Sequence, residues 1–254
     1  MIGLFAGTSL DLKPTKQRKR FMRFLAPIAA VVALALPVYG QSADEPVVVE
    51  LYTSQGCSSC PPADALLHEL AAREDVLPLA LHVDYWDYIG WKDEFAKPSH
   101  TKRQKGYAHQ GGRRMIYTPQ MIIMGQDDVV GADAMKVEDA IIRHQKQPRP
   151  VALTVARSGG DVVIRLQPKV QMPEGRLLVQ LVRYTPKRTV SIKRGELAGR
   201  TLSYANVVED WQVVAEWDGA GGLEVAVPAP VGKPAAVLVQ AAPFGPVIAA
   251  ARVD

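Results

Sequence analysis

VVVELYTSQGCSSCPPADALLHELAAR, residues 47–73, decides the fold. Three β-branched apolar residues, Val47, Val48 and Val49, lead in and read as a buried strand. Further on, Ala63, Leu66, Leu67, Leu70 and Ala71 fall at i, i+3, i+4, i+7 and i+8, one face of a helix. The chain's two cysteines, Cys57 and Cys60, stand between them in a C-x-x-C. They therefore occupy a strand-to-helix turn, at or just before a helix N-terminus. Free backbone N–H groups and the positive end of the helix dipole stabilise a thiolate there. Cysteines so placed have pKa values lowered from about 8.5 to roughly 3.5–7.5. Two cysteines three apart close no loop large enough to staple a fold, so they read as a redox or metal pair.

The chain ahead of this stretch reads as a leader. Lys16, Arg18, Lys19, Arg20 and Arg23 are basic, and Phe24 to Val38 is apolar and uncharged. At about 15 residues this run is shorter than the ~20 of a membrane span. Val38-Tyr39-Gly40 offers a cleavage point before Gln41, and Met22 is an alternative start. A retained N-terminal anchor is the competing reading. Cleavage leaves no stable membrane span and places the protein in the periplasm or outside the cell. Of 30 Lys and Arg, six lie in residues 1–40, against one of 26 Asp and Glu. The remainder carries 24 bases and 25 acids, a net of −1, so the basic character belongs to the leader and points to no nucleic-acid partner.

Downstream, Leu77–Val83 reads as a second apolar strand, spaced for a parallel β-α-β unit. A long aromatic, then polar, segment follows from Asp84 to Gly112, helix-prone over Ser99–His109. Thr118-Pro119 opens a short strand, Gln120–Met124; a strand around Asp128–Gly131 and a helix over Ala134–Gln145 complete β-α-β-α-β-β-α. Gln147-Pro148-Arg149-Pro150 reads as a linker. Beyond it about eight short strands with no helical period, the first two flanking Ser158-Gly159-Gly160, suggest a β-sandwich. The expectation is thus a leader over 1–40, an α/β domain over 45–147 and a β-sandwich over 151–254.

That element order, with C-x-x-C before the first helix, resembles the thioredoxin core. ELYTSQGCSSCPPADALLHEL, HVDYWDYIGWKD and YTPQMII resemble, more closely, the secreted bacterial family called domain of unknown function 1223; RGELAGRTLSYANVV resembles it more loosely. The resemblance implies a thioredoxin-like fold, with Cys57 as attacking thiol, Cys60 as resolving thiol and a reversible Cys57–Cys60 disulfide. It makes Pro119 a cis-proline and gives Thr118 backbone groups to offer an extended substrate. Departures from thioredoxin are plain: Ser58-Ser59 between the cysteines, Pro61-Pro62 after them, and Leu51 where a buried acid is expected. Glu50, one residue off, is the candidate proton acceptor.

His82, Asp84, Tyr85, Trp86, Asp87 and Trp91 lie at the carboxyl end of the second strand, where α/β proteins place sites. Asp84 and Trp86 are the candidates for a substrate groove; His82 reads as a hydrogen-bonded core residue. Met121 and Met124, with His82 and the cysteines, are the residue types of a soft Cu(I) site, but residues three apart on a strand face opposite ways. Nothing in the pattern supports zinc. Asp64 and His68 read as an i,i+4 surface pair, His100, His109 and His144 as residues of polar helix faces, and Lys102, Arg103, Lys105, Arg113 and Arg114 as a solvated face. No glycine-rich phosphate fingerprint implies an organic cofactor. The function expected is an exported thiol–disulfide oxidoreductase acting on protein thiols or disulfides, or on a redox recycling partner. A copper-binding metallochaperone and a non-catalytic interaction module are the alternatives.

Overall fold

The strand β1 (Val47–Thr53) is buried along its whole length, because it has neighbours on both edges and helices on both faces. The computed structural model describes residues 45–172, 175–229 and 232–253. The expected leader lies outside them. Among the described residues no helix is long and apolar enough to cross a membrane.

On one edge β1 pairs in parallel with β2 (Val76–His82), from Val47 opposite Val76 to Thr53 opposite His82. On the other it pairs antiparallel with β3 (Gln120–Ile123), which pairs with the edge strand β4 (Asp127–Val130). The helices α1 (Pro61–Ala71), α2 (Pro98–Gln110) and α3 (Ala134–Gln145) fall where their signals are. Strand alternation then divides β1 between helices. The Thr53 hydroxyl donates to Asp64 of α1, whereas Glu50 points to the opposite face and meets Arg103 of α2.

The expected thioredoxin-like domain followed by a sandwich is not what forms. Strands from both sides of Gln147–Pro150 share one mixed sheet of eight, in the order β11-β10-β7-β8-β2-β1-β3-β4. Here β7 is Leu177–Ser191, β8 Thr201–Trp217, β10 Ala235–Ala241 and β11 Val247–Val253. β8 lies beside β2, with Ala80 opposite Val207. The Asn206 side-chain amide reaches the Pro78 carbonyl at 2.8 Å and strengthens the junction. Among the described residues β5 (Val151–Ser158), β6 (Asp161–Pro168) and β9 (Leu223–Pro228) form a second sheet. Val151, Val162 and Ile164 from that sheet pack with Val179, Leu181, Val237 and Val239 of the large one. Two runs that read as separate strands, RLLVQLVRY and RTVSIKR, are the single strand β7, continuous through Pro186 with an irregular register beside β8.

Arg103, expected on a solvated face, is instead buried. Its guanidinium grips the Glu50 carboxylate at 2.7 and 2.8 Å. The Tyr107 and Tyr52 hydroxyls donate to the same carboxylate at 2.6 and 3.0 Å. Arg103 also donates to Gln240 of β10 at 3.0 Å and lies 3.8 Å above the Trp211 ring of β8. Breaking a buried pair by removing one partner leaves an uncompensated charge and costs about 3–5 kcal/mol. Arg103→Met should lower the free energy of urea unfolding by that amount; adding Glu50→Gln should restore part of it. A loss below about 1 kcal/mol, typical of an exposed pair, would contradict this placement.

Candidate functional site

Cys60 is the N-cap of α1 and Pro61 its first residue, where a proline's missing N–H has no helical role to fill. The Cys60 carbonyl accepts the Ala63 and Asp64 N–H groups at 2.9 and 3.1 Å. Cys57 and Cys60 form a disulfide with 2.05 Å between sulfurs and 5.4 Å between Cα atoms. Both residues are buried, while Ser58 and Ser59 between them are exposed. Gly56 lets the loop after β2 close over the turn: a Cβ there would sit 3.0 Å from Ile89 Cδ1 and 3.2 Å from Trp86 Cβ.

The Thr118–Pro119 peptide is cis. The Thr118 hydroxyl donates to Cys57 Sγ at 3.3 Å, and the Trp86 indole N–H donates to the Thr118 oxygen at 2.8 Å. Accepting from Trp86 leaves the hydroxyl proton free to point at the sulfur. Cys57, Cys60, Trp86, Thr118 and Pro119 are thus brought together. Tyr88, which is exposed, stacks on Trp86 at 6.3 Å and adds an aromatic rim. Asp84 serves elsewhere: its carboxylate accepts the Thr101 hydroxyl of α2 at 2.5 Å. Trp91 donates to Gln55 at 2.8 Å and Asp87 accepts the Asp93 N–H at 3.1 Å, so both fix the loop.

Glu50, the candidate proton acceptor, is held by Arg103 on the far face of β1. Met124 Sδ accepts the Val48 N–H at 3.1 Å. Among the described residues no group of three or more His, Cys, Asp or Glu is placed to hold a metal.

A second layer of buried polar residues carries no motif in the sequence. Asp64, expected on the surface of α1, is 6% exposed. One carboxylate oxygen accepts the Thr53 hydroxyl at 2.9 Å; the other is buried without a hydrogen bond. Burial is the main cause that pushes this carboxyl from 3.8 up to about 7, with Asp93 adding to the rise and His82 and Thr53 opposing it. His82 is buried, with Nδ1 2.7 Å from Asp93 Oδ2. Burial alone would raise the Asp93 carboxyl. His82, by charge and hydrogen bond, together with the Gln55 and Phe95 N–H groups, outweighs burial and holds it below its ordinary value. The available signal was positional: Asp64 lies three residues before Leu67 and six before Leu70, inside the apolar stripe of α1.

The family model described as "Protein of unknown function (DUF1223)" matches residues 48–240. The chain belongs to the DUF1223 family. The DUF1223 match crosses Gln147–Pro150 without a break, as the large sheet does. A crystal structure of the protein AGR_C_4864 from Agrobacterium tumefaciens is similar at 36% identity, covering 81% of this chain and 92% of that one, with a TM-score of 0.70. HBP35 of Porphyromonas gingivalis is similar at 12% identity, covering 82% of this chain and 74% of that one, with a TM-score of 0.56, a likeness of fold alone. The comparison with curated proteins gave no match.

Because folding raises the Asp64 carboxyl from 3.8 to about 7, the folded chain keeps a proton there that the unfolded chain has lost. The group's contribution is full below its unfolded value and falls as pH rises through the folded one. Relative to Asp64→Asn, wild-type stability should fall by roughly 4 kcal/mol across that window, at 1.36 kcal/mol per unit. Urea titrations at the two ends check this; a difference that does not change with pH would contradict it.

Proposed function

We propose that this DUF1223 protein performs thiol–disulfide exchange, with Cys57 and Cys60 cycling between disulfide and dithiol. The observation that carries the reading is the Thr118 hydroxyl, held by Trp86 and aimed at Cys57 Sγ. A neutral disulfide sulfur is a weak acceptor. The same donor gains strength when the sulfur becomes a thiolate, since hydrogen bonds to ions are about twice as strong as neutral ones. The α1 N-terminus adds its dipole to the same stabilisation. A structural staple is poorly served here: a loop this short contributes roughly 2 kcal/mol at most in the chain-entropy account.

Cys57 is the attacked and attacking sulfur, since it carries the donor; Cys60 resolves. The partners are protein thiols or disulfides and a second dithiol that resets the pair. The basic and then apolar leader supports export to a compartment where disulfides persist.

Equilibration with glutathione, followed by trapping of free thiols and mass measurement, should give a defined reduction potential within roughly −270 to −120 mV. A pair that stays oxidised far below that span contradicts turnover. In the reduced protein, Thr118→Val should move the midpoint of the pH profile of Cys57 alkylation up by about one unit, the worth of one hydrogen bond to a charged group. An unmoved midpoint would remove the hydroxyl from the account.

A further inference from the structure

Three side chains behind the disulfide carry buried polar atoms with no hydrogen bond: Asp64 Oδ2, His82 Nε2 and the Tyr204 hydroxyl. They belong together. Thr53 and His82 are register partners across β1 and β2, and Thr53 holds Asp64. The His82 and Tyr204 rings meet edge-on with centroids 4.7 Å apart. Each unsatisfied buried group costs about 1–3 kcal/mol, so their gathering at one place calls for a role. Asp64 also sits one helical turn beyond Cys60, to whose carbonyl its N–H donates.

We propose, building on the thiol–disulfide reading, that Asp64 is the buried proton store for Cys60, with the His82–Asp93 pair set beside it as its charge partner. In reduction, a thiolate of an incoming dithiol attacks Cys57 Sγ. The Cys57–Cys60 bond breaks, its electron pair leaves on Cys60 Sγ, and Asp64 supplies the proton that Cys60 takes. The dithiol's second thiolate then attacks its own sulfur in the mixed disulfide. That closes the dithiol into a disulfide and leaves the electron pair on Cys57, which takes a proton from solvent. The two protons the dithiol gives up balance those taken by Cys57 and, after Asp64 is reprotonated, by Cys60. Oxidation runs the same steps backwards, with the Asp64 carboxylate receiving the Cys60 proton.

The surroundings fit this role. No hydrogen bond reaches the free oxygen of Asp64, and at about 7 its carboxyl is poised to give and take a proton near neutrality. Asp93, held ionised, accepts from His82 Nδ1, which leaves His82 Nε2 unpartnered. Tyr204, raised by burial first and then by Asp64 and Asp93, stays a neutral phenol. His100 of α2, whose Nδ1 meets the His82 carbonyl, is lowered by burial to about 4 and stays neutral. His68, one turn further along α1, presents a buried Nε2 without a hydrogen bond.

The test is stopped-flow reduction of the oxidised full chain by dithiothreitol across the neutral range, followed by tryptophan fluorescence and normalised to the reductant's thiolate. Wild-type rates should fall as pH rises through the Asp64 titration. Asp64→Asn should lose that inflection and be about a hundredfold slower on its acid side, the low end of general acid catalysis. Asp64→Glu should restore an inflection. Thr53→Val, which removes the hydrogen bond that lowers the Asp64 carboxyl, should move the inflection to higher pH with the acid left in place; this arm stands even if Asp64→Asn fails to fold. An Asp64→Asn profile that superimposes on wild type, or a Thr53→Val profile with its inflection unmoved, overturns the proton store and leaves exchange by Cys57 intact. A wild-type disulfide that the dithiol cannot open overturns both.

Discussion

A buried carboxylate cannot stay ionised in an apolar sheet unless a cation is brought to it, and in this protein Glu50 makes that demand from the middle of β1. Arg103 answers it with a two-pronged grip, and Tyr52, Tyr107, Gln180, Gln240 and Trp211 surround the pair. Those residues come from β1, α2, β7, β8 and β10, on both sides of the proline-rich segment at 147–150. The pair therefore joins the cysteine-bearing β-α-β unit to the strands that extend its sheet. Replacing such a network by apolar residues can be neutral, whereas removing one member is severe.

The site depends on that frame. β1 and β2 end together, at Thr53 and His82, and the polypeptide leaves both for the site: β1 into the C-x-x-C turn, β2 into the loop that carries Trp86 and Asp93. The face of β1 opposite Glu50 meets α1 and, through Thr53, Asp64. Gly131 sits where a Cβ would be 3.1 Å from Ala63 and 3.2 Å from Pro119. That close approach seats Pro119 beside the first turn of α1. Cys57 thus has a hydroxyl donor, and Asp64 follows Cys60 by one turn of α1. Both are supplied by elements whose positions follow from the central strands.

Local signals in the sequence were reliable and long-range ones were not. Val47–Val49, the apolar stripe of α1 and the C-x-x-C placed β1, α1 and the disulfide, because a strand-to-helix turn is written within some 25 residues. Thr118-Pro119 and Trp86 lie far apart in the sequence, and the fold joins them through one hydroxyl. The sheet order was not legible: β2 is buried on both faces, and a continuous apolar run does not name its neighbour. So the strands after residue 150 read as a separate sandwich, when β8 pairs with β2. Arg103 and Asp64 are buried against expectation. Each is a charged residue type and reads as solvated, yet Arg103 meets a carboxylate on the sheet face that α2 covers, and burial raises the Asp64 carboxyl.

The central claim is that the disulfide opens and closes on a frame that does not depend on it. Amide hydrogen exchange on the oxidised and the reduced protein tests this most directly, since local and global opening separate by protection. The account predicts that reduction changes exchange over residues 54–61, 86–91 and 117–119 and leaves the protected amides of β1, β2 and β8 as they were. A loss of protection throughout those strands on reduction would contradict it, and would make the Cys57–Cys60 bond a structural staple.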